Sequence, residues 1–405
     1  MKQKQLITAI SKWVGIGVLN IHMAQAGGLI TVDTVSDQQQ QGFTTLREAI
    51  ALANTSSNIV IEFDETLFSE PQTIVLEQGE LTLSSSTTIE GPGSNLLTID
   101  GDNNSRVFRL SDDDNNTTQA IEISGVTITN GNGISPAENR KGGCILSFEG
   151  LSLNDSVVTG CKSEGRGGGI HSRYGSLTVD NTTISQNRGG NEGGGVYTRQ
   201  VTVSITNSTI SDNEDSDGAG IFIERASNVE IINTTVSNNS SFVNSSFGIF
   251  ARDLSTTVNL INSTVVNNDG SGIAVINNAT FNIINSIIAG NGLSDCDLAV
   301  LNLNSFIRNS LDTDGSCDVS ATNHITVADA KLEPLNFYGG PTKTHRPQVD
   351  SAAVDAGDDL FCVAFDQRGQ VRPQDGNGDD NAVCDIGAVE LAEFEDVVFI
   401  NGFDR

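Results

Sequence analysis

The chain has 405 residues and a formal net charge of −29, with 51 acidic against 22 basic side chains. That balance argues strongly against nucleic acid and anionic membrane surfaces as partners, because the long-range field repels both. With 42 glycines, 18% charged and 5% aromatic residues, the composition fits repeated β-turns and strands rather than helices.

Residues 1–26 read as an export signal. Lys2, Lys4 and Lys12 precede an apolar run from Trp13 to Ile21, and Ala24-Gln25-Ala26 offers a small-residue cleavage site. The run falls short of the ~20 residues that span a bilayer, and no later segment is long enough. The mature chain, from Gly27, is therefore expected to carry no transmembrane segment and to lie outside the cytoplasm, extracellular or at a cell surface, where disulfides persist. Within residues 27–57, Thr45-Leu46-Arg47-Glu48 is a capping box. It opens an amphipathic helix from Leu46 to Asn54, with Leu46, Ala49, Ile50 and Ala53 on one face. The helix is expected to cover the open end of the array that follows, whose first strands would otherwise expose an unpaired edge.

Residues 58–291 repeat. The segments SLTVDNTTISQN, VTVSITNSTISDN, NVEIINTTVSNN, TVNLINSTVVNN and FNIINSIIAGN align on Asn181, Asn207, Asn233, Asn262 and Asn285, with Asp155 and Gly125 in the same column upstream. The commonest interval is 26 residues. Four and two residues before the anchor, and three after it, every position is apolar, as in Leu177, Val179 and Ile184. Alternation with β-branched residues is the signature of short strands. A lone strand of this kind buries nothing; stacked coils at ~4.8 Å pair every backbone group and enclose a core. The expected fold is all-β, a right-handed parallel β-helix of roughly nine coils, with a shaft of ~40–45 Å. Six residues after the anchor stand Asn187, Asn213, Asn239, Asn268 and Asn291, with Cys161 one coil earlier. These are expected to form a hydrogen-bonded ladder. The runs Gly167-Gly168-Gly169, Gly193-Gly194-Gly195 and Gly218-Ala219-Gly220 read as coil corners rather than phosphate loops, since no helix follows them.

The six cysteines, Cys144, Cys161, Cys296, Cys317, Cys362 and Cys384, fall into three pairs each about one coil apart. Sequential pairing is the expected pattern, although many connectivities are open. No C-x-x-C or Cys/His cluster points to zinc.

The glycine-led strands, with TTLREAIALAN and TTIEGPGSNLLTIDGDNNSRVFRL, resemble the repeats of polymorphic outer-membrane proteins and related β-helix surface proteins. In residues 292–390, YGGPTKTHRPQVDSAAVDAGDD, DQRGQVRP and CDIGAVE resemble the choice-of-anchor Q domain of bacterial surface and secreted proteins. The resemblance implies export and a C-terminal sorting signal. No LPxTG motif, terminal apolar helix or autotransporter barrel accompanies it, and the tail, residues 391–405, ends in DVVFINGFDR, which reads either as a short tag or as a last strand.

The strand that follows each glycine run places His171, Tyr197, Phe222 and Phe250 in one column and Arg173, Arg199 and Arg252 in another, interrupted by Glu224. Rings pack against sugar faces and guanidinium groups pair carboxylates. The expectation is an exterior stripe that binds an acidic polysaccharide, in a non-catalytic adhesion or glycan-binding protein; the alternative is a cross-strand ladder that protects the sheet. Catalysis by a polysaccharide lyase or glycoside hydrolase is the second functional reading, with Glu224, Asp253 and Glu230 beside Arg252 as its carboxylates. His171, His324 and His345 are the histidines available to it, and His345 reads as structural. No cofactor is expected apart from calcium. Asp375, Asn377 and Asp379 occupy alternate positions of a calcium-type loop, but Asp380 and Ile386 stand where an EF-hand needs glycine and glutamate. Two readings remain open, a looser site closed by Asp385 or a solvated acidic turn.

Overall fold

The computed structural model describes residues 28–392, except 115, 134–139, 226–227, 243–245, 298–304 and 318–320. The segment expected to be an export signal, residues 1–26, and the stretch 393–405, expected to be a short tag or a last strand, lie outside the described residues. Among the described residues, no helix is long and apolar enough to cross a membrane.

The repeat closes into three parallel sheets, one on each side of the shaft. Among the described residues sheet A has 11 strands, sheet B 11 and sheet C nine. One coil runs from Ile170–Arg173 in sheet C through Ser176–Asp180 in sheet A to Thr183–Ser185 in sheet B, and the next coil repeats the course. Register follows the sequence columns: Leu177 lies over Val203, Ile184 over Ile210, and His171 over Tyr197. The apolar columns point inward, and Leu177, Val179, Ile184, Ile205 and Ile210 are completely buried. The anchor column turns the corner between sheets A and B in the left-handed region, with φ of 49° at Asn181, 51° at Asn207 and 48° at Asn233. Asparagine accepts that backbone at less cost than most residues.

The second asparagine column is a continuous ladder. Asn187 Nδ2 donates to Asn213 Oδ1 at 3.0 Å, Asn213 to Asn239 at 3.0 Å, Asn239 to Asn268 at 2.9 Å and Asn268 to Asn291 at 3.0 Å. Each side chain also serves the main chain. Asn213 Oδ1 accepts from the Asn187 amide at 3.1 Å, and its Nδ2 donates to the Ile184 carbonyl at 3.0 Å. The backbone groups that a corner leaves without a sheet partner are thereby satisfied inside the shaft.

The helix spans Leu46–Ala53, capped by the Thr45–Glu48 box, with Leu46, Ala49, Ile50 and Ala53 buried and Asn54 as its C-cap. The coils extend beyond residues 58–291 at both ends. Leu29–Val32 pairs with Ile59–Phe63 as the first strand of sheet A, so the segment 27–57 supplies a strand as well as a cap. At the far end Leu311–Asp312 and Ile325–Thr326 prolong sheet B. The three disulfides join Cys144 to Cys161, Cys296 to Cys317 and Cys362 to Cys384, the sequential pairing.

From about residue 327 the chain leaves the coils and lies back along the outside of sheet B. Ile386, Ala353 and Ala330 pack on Val266, Ile287 and Ala289 as a second apolar cluster. Gln367 Nε2 donates to the Ser208 carbonyl at 3.1 Å, its amide oxygen accepts from Thr235 Oγ1 at 2.7 Å, and His345 Nε2 meets Ser237 Oγ at 2.8 Å. Behind this contact the motifs DQRGQVRP and CDIGAVE hold each other. Arg368 pairs with Asp366 at 2.9 Å and Arg372 with Glu390 at 3.2 Å, all four buried. The segment is a covering layer welded to the shaft.

Asn213→Ala removes a side chain that satisfies one buried amide and one buried carbonyl as well as two ladder neighbours. The expected loss is about 2–5 kcal/mol of unfolding free energy, measured by urea denaturation of the purified protein; an unchanged midpoint would show that the ladder contributes nothing.

Candidate functional site

The exterior of sheet C carries the chemistry. Its outward column is stacked as the register requires: His171 on Tyr197 at 4.7 Å between centroids, Tyr197 on Phe222 at 5.6 Å, and Phe222 on Phe250 at 4.9 Å. The expected exposed stripe is corrected here, because these rings are not laid open to a ligand. His171 is 1% exposed, Tyr197 and Phe222 0% and Phe250 4%. What covers them is the segment that runs from the asparagine ladder to the glycines of each coil. Lys162, Arg188, Glu214 and Ser240 pair there as an outer line of parallel bridges, and Arg166 pairs with Glu192 in the same way. The rings therefore form an apolar cluster of their own, sandwiched between sheet C and this layer.

A single lattice of charge closes the sandwich. Arg252 donates one arm to Glu192 at 3.0 Å and the other to Glu224 at 3.2 Å, while Arg199 approaches Glu224 at 3.9 Å. Arg166 pairs with Glu192, gives a hydrogen bond to the Tyr197 hydroxyl at 3.3 Å, and lies 5.1 Å over its ring. The Tyr197 hydroxyl donates to Glu224. Arg252 lies 4.9 Å over the Phe222 ring, and the side chains of Arg199 and Arg252 remain 22% exposed. Arg173, one coil before Arg199, stacks at 4.5 Å over Tyr174.

These contacts set the protonation states. Burial pushes the Glu224 carboxyl up, but the Tyr197 hydroxyl and the two guanidinium groups outweigh it and hold it below its ordinary value. Burial pulls Arg252 down, and Glu192 and Glu224 more than restore it. Tyr197 is raised by burial and by Glu224. Burial, then the charge of Glu192, pushes Asp217 up to about 6, and burial pushes Asp215 up to about 7. His171 is held neutral by burial and by the cations around it.

Glu192, Asp217 and Arg166 were not singled out in the sequence, although a signal for them exists. Lys141, Arg166, Glu192 and Asp217 each immediately precede a corner glycine, Gly142, Gly167, Gly193 and Gly218, whose φ lies between 61° and 78°. They form a charged column facing the Arg173–Arg199–Glu224–Arg252 column across the buried rings.

The other candidates disperse. Asp253 pairs with Arg225 at 3.4 Å. Glu230 stands on the exposed outer side of sheet A between Ser204 and Asn259. His324 lies 3.3 Å from Asp312, and His345 is pinned between Ser237 and the Glu333 carbonyl at the edge of an open cleft under the C-terminal segment. The calcium expectation meets a different geometry. Asp375 accepts from the Gly378 and Asp380 amides at 2.7 Å each, and Asn377 and Asp379 cap the next amides. Asp385, expected to close the site, is buried elsewhere on the amides of Asp355 and Leu391, and burial together with Glu390 pushes it up to about 8. Among the described residues no group of three or more His, Cys, Asp or Glu side chains could hold a metal ion.

Residues 49–291 match the family described as the right handed beta helix region, and residues 150–328 match it again. The chain belongs to that family. No curated protein sequence matches this β-helix protein. Among solved structures, the crystal structure of pectate lyase Pel9A covers 90% of this chain and 98% of its own, with a TM-score of 0.57 and 13% identity, a likeness that shows the fold. Geobacillus virus E2 ORF18 covers 73% of this chain and 60% of its own at 10% identity, with a TM-score of 0.39, too low to carry an argument.

A prediction follows from Asp215, which is fully buried with an unpartnered Oδ2 that a Cβ on Gly189 would meet at 1.9 Å. Gly189→Ala should destabilise by about 1–3 kcal/mol through overpacking, and Asp215→Ala in the same chain should recover most of it. The raised carboxyl also binds a proton more tightly in the folded than in the unfolded state. Its contribution is therefore complete below about pH 4 and lost as pH rises through about 7. The melting temperature should fall across that window in the native protein, and fall less in Asp215→Asn.

Proposed function

We propose that this β-helix protein is exported and binds an acidic polysaccharide along the charged edge of sheet C, in adhesion or glycan capture and without catalysis. The observation that carries the reading is the series of partly exposed arginine side chains, Arg173, Arg199 and Arg252, set on stacked strand ends. The coil rise of ~4.8 Å is close to the advance of one sugar unit in an extended chain, so a linear glycan lying along the shaft meets one coil per sugar. The buried rings act as the rigid base of this edge, and recognition is ionic and hydrogen-bonded. The likeness in fold to a pectate lyase supports a polysaccharide as ligand. Three disulfides and the resemblance to surface and secreted proteins support export.

One observation favours a second reading, a lyase or glycoside hydrolase. Asp217, raised to about 6 beside the charge of Glu192, is the carboxyl of the lattice best suited to general-acid work near neutrality. Glu192 and Glu224 are each held by guanidinium groups, which argues against either as a proton donor.

Purified mature protein screened against acidic and neutral polysaccharides, scored for binding and for new reducing or unsaturated ends, separates the readings. Binding to acidic polymers alone, without new ends, is expected. Replacing Arg173, Arg199 and Arg252 together with Gln should weaken it by roughly tenfold or more, with the fold checked by circular dichroism. Binding that survives the triple change overturns the stripe. New ends that disappear in Asp217→Asn would replace binding with catalysis.

A further inference from the structure

Positive charge gathers at one end of the lattice. The strongest charges acting on His171 are Lys141, Arg166, Arg173 and Arg106, all cationic, in a chain with a net charge of −29. Arg106 is engaged by Glu80 and by the carbonyls of Lys141 and Gly142, and Arg166 by Glu192. Arg173 has a different partner, the Tyr174 ring. Its Nε is buried without a hydrogen-bond partner, and so are both ring nitrogens of His171. His171 and Arg173 stand two residues apart on the strand Ile170–Arg173, on its outward side. A donor taken from water and left unpaired bears its full desolvation cost, and neighbouring cations add to it. One anion brought to this place relieves both.

We infer that His171 and Arg173 form an anion subsite that takes the carboxylate or sulfate group of an acidic sugar. The inference rests on the glycan reading above and names the point at which the polymer is anchored. Arg199 and Arg252 share their charge with Glu224 and Glu192; Arg173 is the arginine of the stripe with no carboxylate in contact among the described residues. The anion enters beside the partly exposed Arg173 side chain, and the corner segments that cover the buried Arg173 Nε–H and the His171 ring move aside for it to accept from that Nε–H and from an N–H of His171. Lys141, Arg166 and Arg106 face the same imidazole, and Tyr197 is stacked on it. A bound anion favours the protonated ring, so binding takes up a proton and tightens as pH falls.

The test uses the full mature protein with labelled histidine, titrated by NMR with sodium glucuronate and, separately, with inorganic sulfate, at about pH 5.5 and about pH 7.5. A saturable shift of the His171 ring resonances, stronger at the lower pH and lost in Arg173→Gln, is expected. His171→Phe, which keeps an aromatic in the stack, should still bind but without the pH dependence, read by isothermal titration calorimetry at the same two pH values. A response to glucuronate alone assigns a carboxylate subsite, and to sulfate alone a sulfate subsite. No saturable shift with either anion overturns the subsite, even where the native protein binds an acidic polymer and the glycan reading stands. A shift that persists in Arg173→Gln also overturns it. A site that binds the small anions in a protein that binds no acidic polymer overturns the glycan reading and leaves the subsite in place.

Discussion

Each residue of the shaft lies directly over its counterpart one coil away, and the ~4.8 Å spacing of paired strands decides what a column can contain. Apolar side chains, asparagines and rings are stabilised by copies of themselves at that distance: the first share a dry interior, the second exchange amide hydrogen bonds, the third stack. Charges are not. Two guanidinium groups one rise apart repel, so a basic column has to be broken by an acid or satisfied from the side. The edge of sheet C does both. Glu224 interrupts Arg199 and Arg252, and Glu192 from the facing column receives Arg252 and Arg166.

Parallel sheets are stable when both faces are covered, and here each face is solved differently. The inner faces of all three sheets share the core. The outer face of sheet C is roofed by the chain's own corner segments, coil by coil. That of sheet B is roofed from the strand Thr209–Ser211 onward by the C-terminal segment, whose buried arginines and acids hold a loop-rich stretch in one shape while Gln367 and His345 fasten it to the strands. Sheet A keeps a polar outer face of Ser152, Thr178, Ser204 and Glu230. The partly exposed arginines of the lattice lie where the sheet C roof ends, and the functional reading rests on that edge.

The columns were legible because a repeat states its own register: inward residues, asparagine ladder, glycine corners and cap helix all follow from spacing. Disulfide pairing followed the sequential expectation, each cysteine joining its neighbour in sequence 17 to 22 positions away, two pairs along the coils and the third in the segment beyond them. The ring column was also correctly located on the outward side, yet its exposure was misjudged. Strand alternation tells which face a side chain takes and says nothing of what lies above that face. The acidic turn at Asp375 was legible only as two readings, because aspartate and asparagine at alternate positions serve a bound cation and their own backbone amides equally well; in the structure they accept from the amides of the turn itself, and Asp385 lies on those of Asp355 and Leu391.

What the sequence alone determined is therefore the shaft, because local alternation and a fixed repeat leave one way to bury the apolar columns. What only the tertiary structure decided is the environment of the outward residues. Gln367 meets Thr209 across 158 positions of sequence, and Glu192 meets Arg252 across more than two coils; no periodicity encodes such contacts. Burial, paired charge and the unpartnered nitrogens of His171 and Arg173 arise from that layer, and with them the difference between an aromatic stripe open to sugars and an ionic edge built over a closed stack.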